Sequence, residues 1–255
     1  MYAKKSLGQH FLTSQGALAK IVDAGQLTES DVVLEIGPGR GVLTEKMLAQ
    51  AKRVIAVEKD DELFVVLQEK FKKEIRNKKL ELVHADILDY LPEGNYKLIA
   101  NIPYNITGAI LEKFLSGEHQ PSLAVLLVQK EVAQRIVARD DKESILSISV
   151  KVYGEPKYID TVKAGSFNPA PNVDSAIISI ENISKAFFKD FSEKDFFIML
   201  RAGFKSKRKK LSSNLSTIFD KEKVRKTFQE TGMDDNTRAE DISVSTWGTL
   251  ARNLL

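Results

Sequence analysis

Val32-Val33-Leu34-Glu35-Ile36-Gly37-Pro38-Gly39-Arg40-Gly41 opens as an apolar run and breaks into a glycine turn. The run reads as a strand buried on both faces. The turn supplies positions that tolerate left-handed backbone and brings main-chain amides close to a ligand at the start of a helix. Outward from it, Val54-Ile55-Ala56-Val57, Leu80-Glu81-Leu82-Val83, Leu98-Ile99-Ala100 and Leu123-Ala124-Val125-Leu126-Leu127-Val128 repeat the buried-strand pattern. The intervening stretches have helical spacing, as in residues 61–75 with apolar Leu63, Val66, Leu67 and Phe71. Alternation of this kind predicts a doubly wound α/β domain on a parallel sheet with right-handed crossovers. Tyr158-Ile159-Asp160-Thr161-Val162 and Ser175-Ala176-Ile177-Ile178-Ser179-Ile180 flank the proline-rich residues 167–172 and are expected to complete the sheet as an antiparallel pair.

After Ser184 the pattern turns helical, with helices expected over residues 195–204 and 222–231 and no convincing strand. Residues 1–184 are therefore expected to form the α/β domain, and residues 185–255 a small all-helical domain. A chain of 255 residues that is 43% hydrophobic can bury a core of that size. Charge divides along the same line: residues 185–255 carry a net +5 and the remainder −2. That asymmetry points to nucleic acid near the C-terminus, although a charge excess of this size is commonly a solvated surface. No apolar run suffices to span a bilayer and the N-terminus lacks a signal-type apolar region, so a cytoplasmic location is expected. With no cysteine, and with His10, His84 and His119 far apart, no metal motif is expected.

In an open α/β sheet the ligand lies outside the carboxyl ends of the strands. There the sequence places Glu35 with Gly37, Gly39 and Gly41, then Glu58, Asp86-Ile87 and Asn101-Ile102-Pro103-Tyr104. The glycine spacing is G-x-G-x-G, with Val42 where a dinucleotide fingerprint has its third glycine. Glu58 can accept from both hydroxyls of a ribose, a property shared by nicotinamide and S-adenosylmethionine sites. Asp86 can accept from an adenine amine while Ile87 lies on the ring. Three carboxylates favour a sulfonium and an ammonium over a pyrophosphate. Pro103 keeps Ile102 extended, so the Ile102 carbonyl and the Asn101 side-chain oxygen can converge on one exocyclic amine while Tyr104 stacks on its ring. Two such acceptors favour the pyramidal amine that develops during methyl attack. Taken alone, Asn-Ile-Pro-Tyr is also an ordinary turn before a helix.

Together these segments resemble the ribosomal RNA adenine dimethyltransferase family. The resemblance begins at Leu7-Gly8-Gln9-His10-Phe11-Leu12, runs through the glycine turn, Glu58, Asp86, residues 101–106 and 128–133, and includes Phe167-Asn168-Pro169-Ala170-Pro171-Asn172-Val173-Asp174-Ser175-Ala176. It ends in Phe204-Lys205-Ser206-Lys207-Arg208-Lys209-Lys210-Leu211 and Arg238-Ala239-Glu240-Asp241. Ile102 departs from the family's usual leucine and matches relatives that modify 23S rRNA.

The resemblance implies a Rossmann-like class I S-adenosyl-L-methionine-dependent methyltransferase domain. Its implied reaction dimethylates two adjacent adenosines in the 3′-terminal hairpin of 16S rRNA within the immature 30S subunit; a monomer is the default expectation. It also implies that Gln9, His10, Leu12, the Gly37 loop, Glu58, Lys59, Asp86, Ile87 and Asn101 hold the cofactor, and that Phe167 sandwiches a flipped base against Tyr104. Lys205, Lys207, Arg208, Lys209 and Lys210 place five cations in six residues and are expected to dock RNA. Two other readings explain less. A nicotinamide oxidoreductase leaves residues 101–104 and the basic segment idle, and a non-catalytic RNA-binding assembly factor has no need of an intact pocket.

Overall fold

The computed structural model describes residues 9–255. Its main sheet has seven strands. β2 (Val32–Ile36), β3 (Arg53–Glu58), β4 (Leu80–His84), β5 (Lys97–Asn101) and β6 (Ala124–Gln129) are joined by β7 (Glu155–Val162) and β9 (Ser175–Glu181) in the order β4-β3-β2-β5-β6-β9-β7. The first five run parallel, as their continuous apolar character predicts. β9 is inserted between β6 and β7 and is antiparallel to both. The expected pair is therefore present, but only β9 opposes the sheet, and β7 at the edge runs with the parallel strands. β1 (Phe11–Leu12) and β8 (Phe167–Asn168) form a separate two-stranded ladder with Leu12 opposite Phe167.

Helices α1 (Gln15–Ala24), α2 (Val42–Leu48), α3 (Asp61–Lys70), α4 (Lys72–Arg76) and α5 (Thr107–Ser116) follow the strands or precede them in this unit. Ser14 caps α1 by accepting from the Ala17 amide, and Asp60 caps α3 by accepting from the amides of Glu62 and Leu63. The single helix expected over residues 61–75 breaks at Phe71, which leaves helical geometry (φ −107°, ψ 24°). At this break the Phe71 ring is buried against the Gly41 turn, where a Cβ on Gly41 would lie 2.5 Å from it. Beneath the turn, Leu18, Ile21, Met47, Val54, Leu67 and Ile99 belong to one continuous buried cluster.

By mutual contacts the chain forms two compact units, one of Met1–Ala133 with Glu155–Ile183 and the other of Gln134–Gly154 with Ser184–Leu255. The sequence reading divides the chain into residues 1–184 and 185–255; the contact units also divide between Ile183 and Ser184, and they group residues 134–154 with Ser184–Leu255. That segment carries the C-terminal part of α6 (Lys130–Val137) and α7 (Ile145–Lys151). It is tied to the helical unit by specific pairs: the Glu143 amide donates to the Glu240 carbonyl at 2.8 Å, Lys142 pairs with Asp241, and the Tyr153 hydroxyl donates to Glu193 at 2.6 Å. The remaining helices are α8 (Glu193–Gly203), α9 (Leu211–Leu215), α10 (Lys221–Glu230) and α11 (Val244–Leu254), packed around the fully buried Trp247. Among the described residues no helix is long and apolar enough to cross a membrane.

Candidate active site

A cavity of about 480 Å³ opens at the carboxyl ends of β2, β3, β4 and β5. It is lined by Gln9, His10, Leu12, Glu35, Gly37, Gly39, Glu58, Lys59, Asp86, Ile87, Asn101, Ile102, Pro103 and Tyr104. The structure thus gathers nearly the whole expected pocket. Gly41 stands just outside, as the N-cap of α2 in left-handed geometry (φ 72°). Gly37 is also left-handed (φ 61°), and a Cβ there would meet no atom within 4 Å, so the turn leaves open space on that side.

Glu35 is 1% exposed and receives the Thr44 hydroxyl at 2.6 Å. Burial pushes its carboxyl up to about 8, helped by the nearby Glu58 charge and opposed by the Thr44 bond. Glu58 accepts from the Gly39 amide at 3.2 Å and the Asp60 amide at 2.9 Å, yet its burial outweighs these bonds and raises its pKa as well. Asp86 behaves oppositely. Lys59 donates to it at 2.6 Å and the Leu88 amide at 2.9 Å, and these hold it below the usual carboxylate range. The three acids are therefore not three equal negative charges. Asp86 is ionised and paired, whereas Glu35 and Glu58 are carboxyls whose ionised forms are held under strain by burial, a state that a cation would relieve.

Asn101, at the end of β5 and in the cavity wall, donates from Nδ2 to the His10 carbonyl at 3.1 Å, which leaves its Oδ1 to accept from a ligand. His10 Nδ1 lies 2.8 Å from the Pro169 carbonyl oxygen and, facing a group that only accepts, is the protonated nitrogen. The His10 ring stacks on Tyr104 with centroids 5.9 Å apart and planes at 19°. Tyr104 is anchored from its other end, its hydroxyl 2.6 Å from the Ser175 Oγ at the start of β9. Gln9 donates to Asp60 at 3.2 Å, tying the N-terminal segment to the cap of α3.

Phe167 is placed differently from the expectation. It is 5% exposed, sits opposite Leu12 in the β1–β8 ladder within the buried cluster, and does not line the cavity. In this structure the ring facing Tyr104 is His10. Thr44 and Ser175, which position Glu35 and Tyr104, were not legible as site residues: each is a small hydroxyl whose partner is brought to it by the fold.

The basic segment belongs to the helical unit, in the turn between α8 and α9 and not on a helix face. Lys205, Lys207, Arg208, Lys209 and Lys210 are all exposed, and among the described residues none has a carboxylate partner within 4 Å. Buried Asn214 shapes the turn by donating to the carbonyls of Gly203 at 2.7 Å and Ser206 at 3.1 Å.

The family described as ribosomal RNA adenine dimethylase matches residues 1–254. The chain is 43% identical over 253 residues to the ribosomal RNA small subunit methyltransferase A of Dehalococcoides mccartyi, covering 96% of this chain and 86% of that protein. Its identity to the protein of the same name from Fusobacterium nucleatum is 38% over 250 residues, covering 94% and 93% of the two chains. Among solved structures, a dimethyladenosine transferase from Plasmodium falciparum matches with a TM-score of 0.84 at 28% identity, over 94% of this chain and 96% of that one. The 23S rRNA methyltransferase ErmE matches with a TM-score of 0.78 at 24% identity, over 96% and 99%, a likeness of fold.

Proposed function

Because the chain belongs to the ribosomal RNA adenine dimethylase family, we propose that its pocket dimethylates adenine amines in small-subunit ribosomal RNA with S-adenosyl-L-methionine as methyl donor. The observation that carries this reading is Asn101 in the wall of the cavity, its amide nitrogen engaged by the His10 carbonyl so that its oxygen is left to accept.

The residues present fit that cofactor. Buried Glu35 and Glu58 gain from a cationic ligand, and the open side of Gly37 admits an aliphatic chain against the backbone. Glu58 would hold the ribose hydroxyls, Asp86 the adenine amine with Ile87 on its ring, and Glu35 with the glycine turn the methionine end; Gln9, His10, Leu12 and Lys59 would close the pocket around them. Bound there, the cofactor supplies an electrophilic methyl on a sulfonium.

This chain's own contribution is to position the amine. Asn101 Oδ1 and the Ile102 carbonyl would accept its two N–H groups and favour the pyramidal nitrogen, so no general base is needed. Tyr104, with its hydroxyl held by Ser175, offers a fixed face to a flipped base. A role for Phe167 as the second face would require its ring to leave the core. The finer substrate in this reading is a pair of adjacent adenosines in the 3′-terminal hairpin of 16S rRNA, met in the immature 30S subunit in the cytoplasm by a monomer. The exposed turn at residues 205–210 supplies phosphate contacts.

The test is transfer of labelled methyl from S-adenosylmethionine to unmethylated 30S subunits, followed by nucleotide mapping. Two adjacent dimethyladenosines near the 16S 3′ end are expected. Label confined to 23S rRNA, or none at all, would overturn the reading.

A further inference from the structure

A second cationic surface lies at the opposite pole of the sheet from the cavity. Residues 72–79, Lys-Lys-Glu-Ile-Arg-Asn-Lys-Lys, hold five cations against one carboxylate, Glu74, whereas Lys70 turns to the Arg40 carbonyl beside the cavity. The parallel register of β3 and β4 sets Val54 opposite Leu80, and the Val54 amide donates to the Lys79 carbonyl at 2.9 Å, so Lys52 and Arg53 enter the sheet beside Lys78 and Lys79. Lys52, Lys73, Arg76, Lys78 and Lys79 are exposed, and among the described residues none has a carboxylate within 4 Å. Of the neighbouring acids, Glu81 and Glu69 are taken up within this surface by Arg53 and Lys72, and Asp31 pairs with Lys97, which leaves the five cations named without a carboxylate. Lys78 itself takes left-handed backbone (φ 58°), a position where glycine is free of strain but would carry no charge.

Two ordinary explanations fit poorly. Cations that guard an exposed sheet edge sit on the edge strand, yet β4 bears Glu81 and His84 and the cations precede it. A solvated helix face interleaves both signs, whereas here seven cations, Lys52, Arg53, Lys72, Lys73, Arg76, Lys78 and Lys79, meet three carboxylates, Glu69, Glu74 and Glu81, two of which are already paired.

We propose that this surface binds the phosphate backbone of a second RNA segment, distinct from the one carrying the target adenines. The length of β3, six residues or about 17 Å, separates it from the cavity, and it faces away from the carboxyl ends of the strands. A hairpin that inserts its target base at the carboxyl ends of the strands approaches the other end of the sheet, so phosphates reaching this pole would come from another segment of a folded RNA. The consequence is a preference for folded subunit over isolated hairpin. This inference rests on the proposed rRNA methyl transfer and adds an RNA contact to it.

The test compares the wild-type protein with Lys73→Gln/Arg76→Gln/Lys78→Gln, all exposed positions, and with the charge reversal Lys73→Glu/Arg76→Glu. Affinity for unmethylated small subunits is measured across salt concentrations, alongside methyl transfer to subunits and to the isolated hairpin RNA. The triple variant is expected to flatten the plot of log affinity against log salt by roughly 2, at about 0.7–0.9 per lost phosphate contact. Transfer to the hairpin should be unchanged and the KM for subunits raised, more so in the charge reversal. Unchanged subunit affinity and slope would overturn the proposal. So would an affinity loss for intact subunits with none for protein-free folded rRNA, which would assign the surface to an acidic protein. Wild-type protein that transfers no methyl to any rRNA would defeat the function itself, a separate result.

Discussion

The Asn101 side-chain nitrogen donates to the His10 carbonyl oxygen at 3.1 Å, across 91 residues of chain. The N-terminal segment thereby sets which way the Asn101 amide faces. Asn101→Ala is expected to lower kcat by about 10²–10³-fold, the usual cost of losing one positioned polar group. Asn101→Asp cannot donate to His10 and should also loosen the cofactor, seen as a raised KM for S-adenosylmethionine. Single-turnover methyl transfer separates the two effects; an Asn101→Ala enzyme within threefold of wild type would remove this residue from the proposed chemistry.

Glu35 makes stability depend on pH. Its pKa, raised from 4.5 to about 8, means that between those values the folded chain holds a proton the unfolded chain has released. Stability of the ligand-free protein therefore falls as pH rises through that window. Glu35→Gln removes this part, leaving only the same-signed contribution of Glu58. Thermal midpoints from pH 5 to 8 should decline less steeply in the variant. Cofactor affinity should run the other way in the wild type, tightening with pH by a factor approaching about tenfold per unit below the pKa, and be flatter in Glu35→Gln.

Gly41 and Gly37 share left-handed backbone but differ in surroundings. Gly41→Ala drives a Cβ to 2.5 Å from the Phe71 ring, so overpacking of about 1–3 kcal/mol adds to the left-handed penalty of about 1–2 kcal/mol. Gly37→Ala meets no neighbour and should show only the second cost. Urea unfolding of the two variants checks the order; equal losses would mean that the Phe71 contact relaxes freely.

Tyr104→Phe keeps the ring but strands the fully buried Ser175 hydroxyl, at an expected cost of about 1–3 kcal/mol in stability with methyl transfer retained. Tyr104→Ala should instead raise the KM for RNA through lost stacking of about 1–3 kcal/mol per base. Equal activity in the two variants would argue against base stacking at this ring.

In the helical unit, Lys207→Glu/Arg208→Glu should weaken subunit binding and lower its salt slope by about 1.5, while leaving cofactor affinity untouched. An unchanged slope would leave that turn without an RNA role.

Sequence alone determined the parallel strands, the glycine turn and the acids and Asn101-Ile102-Pro103-Tyr104 at the strand ends. Each follows from short-range facts: apolar runs must be buried, and the residue after a buried strand is delivered to its carboxyl end. Tertiary structure decided the rest. Periodicity says that residues 155–162 and 175–181 are strands but not which becomes the edge, because that depends on the partner whose hydrogen bonds remain open. It places Phe71 on a helical face but cannot foresee the break there or the ring's close packing against Gly41, which a distant turn brings to it. The resemblance makes Phe167 a pocket ring, whereas here it pairs with Leu12 and is buried; residues 134–154 read as part of the sheet domain, whereas here Glu143, Lys142 and Tyr153 have partners in the helical unit. The charges of the acids also waited on the fold: Lys59 ionises Asp86 while burial resists ionisation of Glu35, and desolvation is a property of surroundings that no local pattern carries.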